Sequence, residues 1–223
     1  MLFLVAATRL SPDDFSRSPL GISLKRMAFD DTIKLSLAAQ NTCGLPSVYN
    51  RAIDQVDEED ICVFLHDDLW LDDIFFSERI QTALNHFDVI GLAGNRRLLA
   101  CADAWHRNES GDWDRETLSG VVCHGPVPFG APFVYGPTPA AVQLLDGVLL
   151  AARRKTLTTS GIRFDERFSF HFYDLDFSRQ AISAGLTLGT WPITVTHASC
   201  GNFGSPDWKE GLAAYRQKWG LQP

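Results

Sequence analysis

The chain has 223 residues, 45% of them apolar and 21% charged, with a net charge of −7; this balance suits one globular domain with a sizeable core and argues against a nucleic-acid surface. Its five cysteines, Cys43, Cys62, Cys101, Cys123 and Cys200, include no CxxC pair, so reduced structural thiols in a cytoplasm are expected rather than a disulfide framework. The apolar opening, residues 1–7, is too short to span a membrane and has no basic segment before it, so it reads as the first core strand.

That strand covers 2–7. Ser11, Pro12, Asp13 and Asp14 then spell a helix start: a capping serine, proline at the first helical position and acids in the first turn. Ile33, Leu35 and Leu37 alternate with Lys34 and Ser36, which predicts a strand over 32–39. Leu45, Val48, Tyr49, Ala52, Ile53 and Val56 follow helical spacing, with Asn50 and Asp54 off the apolar stripe. Residues 61–65 are continuously apolar and rich in β-branched and aromatic side chains, the pattern of a strand buried on both faces. A helix is expected over 73–85 and another buried strand over 89–94. The resulting alternation implies a largely parallel sheet with right-handed crossovers. No GxGxxG follows the first strand, which disfavours a nicotinamide-binding Rossmann enzyme.

Periodicity fails over 95–139, where Trp105, Trp113, His106 and His124 are scattered among prolines and glycines; a stretch of that length reads as a lid or substrate-binding insertion, or else as irregular packing or short strands without a visible period. A strand with a kink at Gly147 is expected over 142–152, ending in Arg153, Arg154 and Lys155, a basic triplet that reads as solvated or, alternatively, as a phosphate contact. Residues 178–184 read as a helix stopped by Gly185, with Asp174 and Asp176 at its start. Strands follow over 186–191 and 193–197, interrupted by Pro192. Cys200–Gly204 reads as a turn, and Ser205, Pro206 and Asp207 begin a final helix carrying Trp208, Tyr215 and Trp219.

Two acidic clusters carry the chemistry. His66, Asp67 and Asp68 follow the buried strand directly, with Asp72 and Asp73 close behind, at the sheet edge where open α/β sheets bind ligands. Neighbouring carboxylates repel one another until a cation arrives, and a divalent metal carrying phosphate oxygens suits such a site. The alternative is a solvated turn with Asp72 or Asp73 capping the next helix. Asp174 and Asp176 form the second cluster, where a helix N-terminus favours charged carboxylates. His197, at a strand end, reads either as a metal ligand or as a satisfied histidine.

The order of these motifs resembles the nucleotide-sugar-dependent glycosyltransferases of the A-type fold, specifically the inverting, family-2-like group. The matching residues are Asn41, Gly44 and Leu45; Tyr49, Asn50, Ala52 and Ile53; 63–68; Asp146 and Gly147; Phe164, Asp165, Glu166 and Phe168; 173–176; and His197. They span most of the chain outside 95–139. The resemblance implies a three-layer α/β/α sandwich with a mostly parallel central sheet, of GT-A type. It also implies a single domain over 1–223, with a nucleotide-binding half over 1–94 and an acceptor and catalytic half over 95–223. Ala7, Thr8, Arg9, Asn41, Asn50 and Asp67 would bind a nucleotide-diphosphate sugar, UDP-sugar favoured. Asp68, His197 and His66 would hold Mn²⁺ or Mg²⁺, Asp174 would be the general base, and Asp146, Gly147, Tyr173, Asp176 and Trp105 would face a glycan or lipid-linked acceptor.

Two positions depart from the family pattern. His66 replaces the first aspartate of Asp-x-Asp, which biases the site towards Mn²⁺ or weakens it. Tyr173 stands where the glutamate before the catalytic aspartate is expected. Competing readings are a nucleotide-sugar-binding module without activity, a sugar-phosphate nucleotidyltransferase, which would want a glycine-rich basic loop after the first strand, and a metal-dependent phosphoesterase. The expected location is cytoplasmic, including the inner membrane surface for a lipid-linked or surface-polysaccharide acceptor.

Overall fold

Leu2, Leu4, Val5 and Ala6 are buried along the first strand, β1 (Leu2–Ala7), in a computed structural model that describes residues 1–98, 104–108, 110–199 and 203–221. Ser11 caps α1 (Pro12–Phe15) by accepting from the Asp14 N–H, and Ser18 caps α2 (Pro19–Arg26) by accepting from the Gly21 N–H. The helix expected after Ser11 is therefore two short ones, because Ser18 and Pro19 repeat the start signal. β2 (Ile33–Ala38) and α3 (Leu45–Gln55) form where expected, but Leu35 of β2 is 39% exposed at the sheet edge, and Asn50 is buried along with Val48, Tyr49, Ala52 and Ile53. β3 (Ile61–Leu65) is buried at every position, and β4 (Leu69–Leu71) and α4 (Phe76–Ala83) follow.

The strand expected over 89–94 is two strands in different sheets, β5 (Val89–Gly91) and β6 (Ala93–Asn95). The 95–139 stretch contains a hairpin of β7 (Leu118–His124) and β8 (Ala131–Gly136). The strand expected over 142–152 is three pieces, β9 (Ala140–Val142), β10 (Leu144–Leu145) and β11 (Leu149–Arg153), with Asp146 and Gly147 in the break. Arg154 and Lys155 open α5 (Arg154–Thr159). α6 (Tyr173–Ser183) starts five residues before Ser178, and β12 (Leu188–Thr190), β13 (Val195–His197) and α7 (Pro206–Trp219) complete the chain. Cys200, Gly201 and Asn202 of the expected turn lie outside the described residues, as do Cys101 and the remainder of 99–103; Cys43, Cys62 and Cys123 are free thiols.

The larger sheet has the order β2-β1-β3-β11-β5-β12-β9. β2, β1, β3, β5 and β12 run one way, and β11 and β9 run the other. The α/β class with a mostly parallel central sheet thus holds, with antiparallel β11 inserted beside β3. A second sheet has the order β10-β6-β7-β13-β4, with β8 paired to β7. Helix α3 packs on β1 and β3, and α6 on β10 and β12. This register sets the C-terminal ends of β3, β7 and β13 at one place.

Candidate active site

His66 follows β3, while His124 and His197 are the last residues of β7 and β13. Parallel pairing sets His197 beside His124, and antiparallel pairing sets it beside Leu69, next to Asp68. The rings of His66 and His197 are 5.5 Å apart, those of His124 and His197 6.0 Å, and His197 Nε2 lies 3.3 Å from Asp68 Oδ1. Burial alone would raise the Asp68 carboxyl, but the hydrogen bond and charge of His197 outweigh it and hold the group well below the usual carboxylate range. Burial, then the neighbouring His197, lowers His66 and favours its neutral, ligand-competent form.

His66, Asp68 and His197 each offer a ligand atom, all within 4.8 Å of one another. Opposite ligands of one small divalent ion stand about 4 Å apart, so the cluster closes on a cation with shifts under about 1 Å. The residues therefore fit a divalent ion, and two imidazoles with a carboxylate suit Mn²⁺ better than Mg²⁺.

Helix α6 begins with Phe172 in the left-handed region (φ +67°) as its N-cap. Such a conformation costs about 1–2 kcal/mol outside glycine. Packing of the Phe172 ring on Tyr215 and Trp208, at 5.5 and 5.4 Å, offsets it. The bend directs Asp174 towards the β10–β11 turn. Its Oδ2 accepts from the Gly147 N–H (2.9 Å) and its Oδ1 from the Leu175 N–H (2.9 Å). Only glycine fits at 147, because a Cβ there would stand 2.4 Å from the Tyr173 hydroxyl and 2.9 Å from Asp174 Cβ. Tyr173 donates to the Gly147 carbonyl (2.7 Å) and lies 3.3 Å from His66 Nε2, linking the two clusters.

Burial, with the negative charge of Asp146 second, pushes Asp174 up to about 7 against the two backbone hydrogen bonds. Asp146 accepts from Trp105 Nε1 (2.6 Å) and the Val148 N–H (2.9 Å). The acidic neighbour that Tyr173 does not provide is thus supplied by Asp146 from another element. A carboxylate poised near neutrality at a cavity wall is suited to proton transfer.

The cavity measures about 1130 Å³, larger than a typical small-molecule site. Ala7, Thr8, Arg9, Asn41 and Asp67 are among its lining residues. Asp146, Gly147, Tyr173, Asp174 and Trp105 line it with His66 and His197. Asp68 is not on the wall itself and reaches the cavity through His197.

Two expected residues stand elsewhere. Asn50 is 7% exposed and its amide clasps Phe164, donating to the carbonyl (2.9 Å) and accepting from the N–H (3.0 Å). It fixes α3 to the 163–166 loop instead of facing a donor. Asp176 is fully buried and accepts from Lys218 Nζ, Trp219 Nε1 (2.9 Å) and Gln180 Nε2 (2.7 Å). It anchors α7 and does not reach the cavity. Asp72 and Asp73 are likewise structural: Asp72 accepts from Thr196 Oγ1 and the Phe129 N–H, and Asp73 pairs with Arg79.

His106, His124, Tyr135, Phe203, Asp207 and Trp208 also line the cavity without a motif that marks them. For His124 a signal exists, since the apolar run into a histidine at 120–124 repeats the pattern of 61–66.

No family model matches the sequence, and no curated protein matches it. Among solved structures, S. aureus TarS 1–349 superposes with a TM-score of 0.54 at 13% identity, over 88% of this chain and 60% of that one. A longer S. aureus TarS gives 0.53 at 14%, over 99% and 40%. GalNAc-T7 with UDP, GalNAc and Mn²⁺ gives 0.54 at 10%, over 99% and 50%. The chain thus spans between 40 and 60% of these chains' lengths. What they share with it is the fold, which is of GT-A type.

Proposed function

We propose that this chain is a cation-dependent, inverting glycosyltransferase that moves a sugar from a nucleotide-diphosphate donor to an acceptor hydroxyl. One observation carries the reading: a carboxylate held near pKa 7, Asp174, shares a single cavity with the cation-competent cluster of His66, Asp68 and His197. UDP is the favoured nucleotide, since the fold is shared with a structure that holds UDP and Mn²⁺. Residues 1–223 act as one domain, with Ala7, Thr8, Arg9, Asn41 and Asp67 at the donor end. Free thiols at Cys43, Cys62 and Cys123 fit a reducing, cytoplasmic setting.

The Gly147 and Leu175 N–H groups fix the Asp174 carboxylate so that it accepts the proton of an acceptor hydroxyl. The freed oxygen attacks the anomeric carbon from the face opposite the diphosphate, and the sugar–phosphate bond breaks with inversion. Such general-base help contributes about 10² to 10⁴ in rate. A divalent ion held by His66, Asp68 and His197 would supply Lewis-acid stabilisation of the charge growing on the departing diphosphate. Because Asp174 sits near neutrality, it can return its proton to solvent after each turnover.

Thermal-shift measurements with nucleoside diphosphates and UDP-sugars, with and without Mn²⁺, test the proposal together with Asp174→Asn. Donor stabilisation that needs Mn²⁺, and that survives in the variant while turnover is lost, is the expected pattern. Phosphate release from simple esters with no acceptor present would instead identify a phosphoesterase.

A further inference from the structure

Beyond Asp146 the cavity wall changes character. Trp105, whose indole N–H holds Asp146, packs against Tyr135 at 4.8 Å. Tyr135 stacks nearly parallel to Trp113, at 6.2 Å and 14°, and Trp113 meets Phe133 at 5.6 Å. On the other side Trp113 touches His106, which meets Phe203 at 5.6 Å. This continuous aromatic surface runs outward from the reaction centre and stays open to solvent: Trp113 is 41% exposed, Phe133 42% and Phe203 56%. Aromatic side chains of this size are normally buried. A row of uncovered rings leading out of a cavity marks a binding surface.

Charge narrows the ligand. Four carboxylates, Asp67, Asp146, Asp174 and Asp207, line the cavity against Arg9, the one Lys or Arg among the described lining residues; Asp146 accepts from Trp105 at the head of the aromatic row, while Arg9 follows Thr8, whose carbonyl accepts from the Asn41 N–H. The residues outside the described set include no Lys or Arg. Arg107 and Arg115 are exposed and do not line the cavity, and Arg97 pairs with Asp114 at 2.8 Å. A phosphate, sulfate or carboxylate entering along the row would meet the Asp146 carboxylate at its head, an arrangement that rejects anions. An extended peptide is also disfavoured, because Pro132 within the outer strand β8 and Pro137 just after it lack the N–H donors that strand addition needs.

We infer that the acceptor is an oligosaccharide whose cavity-bound sugars are uncharged, with at least one sugar beyond the reacting residue stacked on the platform of Trp113, Phe133 and Tyr135. The apolar C–H face of a pyranose lies flat on an indole or phenyl ring, and the polar edges of His106 and Asp207 meet its hydroxyls. Specificity for chain length then resides on β8 and the loop carrying Trp113, away from Asp174. The inference rests on the glycosyl-transfer reading and names the acceptor class of that site.

The test is a glycan array probed with the full chain in the absence of donor. It carries neutral oligosaccharides of one to six residues, matched sialylated, sulfated, phosphorylated and uronate counterparts, and lipid-diphosphate-linked sugars. Neutral glycans of three or more residues are expected to bind, with a gain of about threefold to tenfold for each stacked sugar, and their anionic counterparts are expected to bind more weakly. W113A and F133A should each flatten the dependence on length, whereas W113F should retain part of it. Melting midpoints equal to the parent's serve as the folding control. Strongest binding to anionic or lipid-diphosphate-linked glycans, equal binding of monosaccharides, length dependence that survives both alanine variants, or no binding at all would overturn the inference. Because the array needs no turnover, normal glycan binding beside a silent transfer assay removes only the proposed reaction. Normal transfer beside a contrary array removes only this inference.

Discussion

Asp174 and Asp176 stand two residues apart in the first turn of α6, one on the cavity side and the other on the α7 side. Asp174 is held by two backbone N–H groups, has no cationic partner in contact among the described residues, and is pushed up to about 7. Asp176 is fully buried against Lys218, Trp219 and Gln180, with its charge compensated. The same helix N-terminus therefore presents a carboxylate to the cavity on one face and a structural one on the other. What separates them is the partner that the third dimension supplies, since both have the same side chain and the same local helix field.

Removing either acid should split function from stability. Asp174→Asn should lower kcat by about 10² to 10⁴ with the melting midpoint unchanged or raised, as read from initial rates and a thermal scan. Near-parental turnover would take Asp174 out of the chemistry. Asp176→Ala should leave a mostly buried Lys218 with Asp165 alone and cost about 3 kcal/mol in denaturant unfolding. Because α7 also carries Asp207 and Trp208 on the cavity wall, the acceptor KM should rise in this variant. Parental stability would show that the α7 anchor contributes little.

Smaller effects sharpen the contrast. At about 100 times its Kd, Mn²⁺ should stabilise the protein by about 2.7 kcal/mol, and His197→Ala or Asp68→Ala should abolish that gain without touching the Asp176 anchor. The pH dependence has a definite sign. The base must be ionised, so activity is present above pH 7 and falls about tenfold per unit as pH drops below it, through the raised pKa of Asp174. Asp146→Asn removes a like charge and should move that acidic limb to lower pH; an unmoved limb would leave burial as the sole cause.

Much of this arrangement is legible in the chain itself. The apolar run at 61–65, the helical spacing of 45–56 and the capping serines at 11 and 205 declare their elements, because burial and capping act locally. The ordered motifs bring Asp174, His66 and His197 to one cavity for the same reason that the fold is readable: strand ends alternate with helices. The roles of Asn50 and Asp176 are not legible. Asn50 differs from a ligand-facing asparagine only in having Phe164 opposite it, and Asp176 from Asp174 only in facing Lys218 and Trp219. The switch from β5 to β6 is silent as well, since both strands are buried and no pattern marks a change of sheet. Residues 95–139 appear aperiodic because Trp105, Trp113 and Tyr135 wall a cavity, and a cavity wall imposes neither a period of two nor one of 3.6.

Twice the chain crosses from the larger sheet to the smaller with a single residue in between, at Leu92 between β5 and β6 and at Gln143 between β9 and β10. The two crossings are tied to each other, since the Gln143 N–H donates to the Asn95 carbonyl at 2.7 Å. Seams this short leave no slack for a hinge, so the sheets cannot swing apart like the covers of a book. Adaptation to a ligand is thus left to side chains and loops, the exposed Trp113 and Phe203 among them, and not to the sheets.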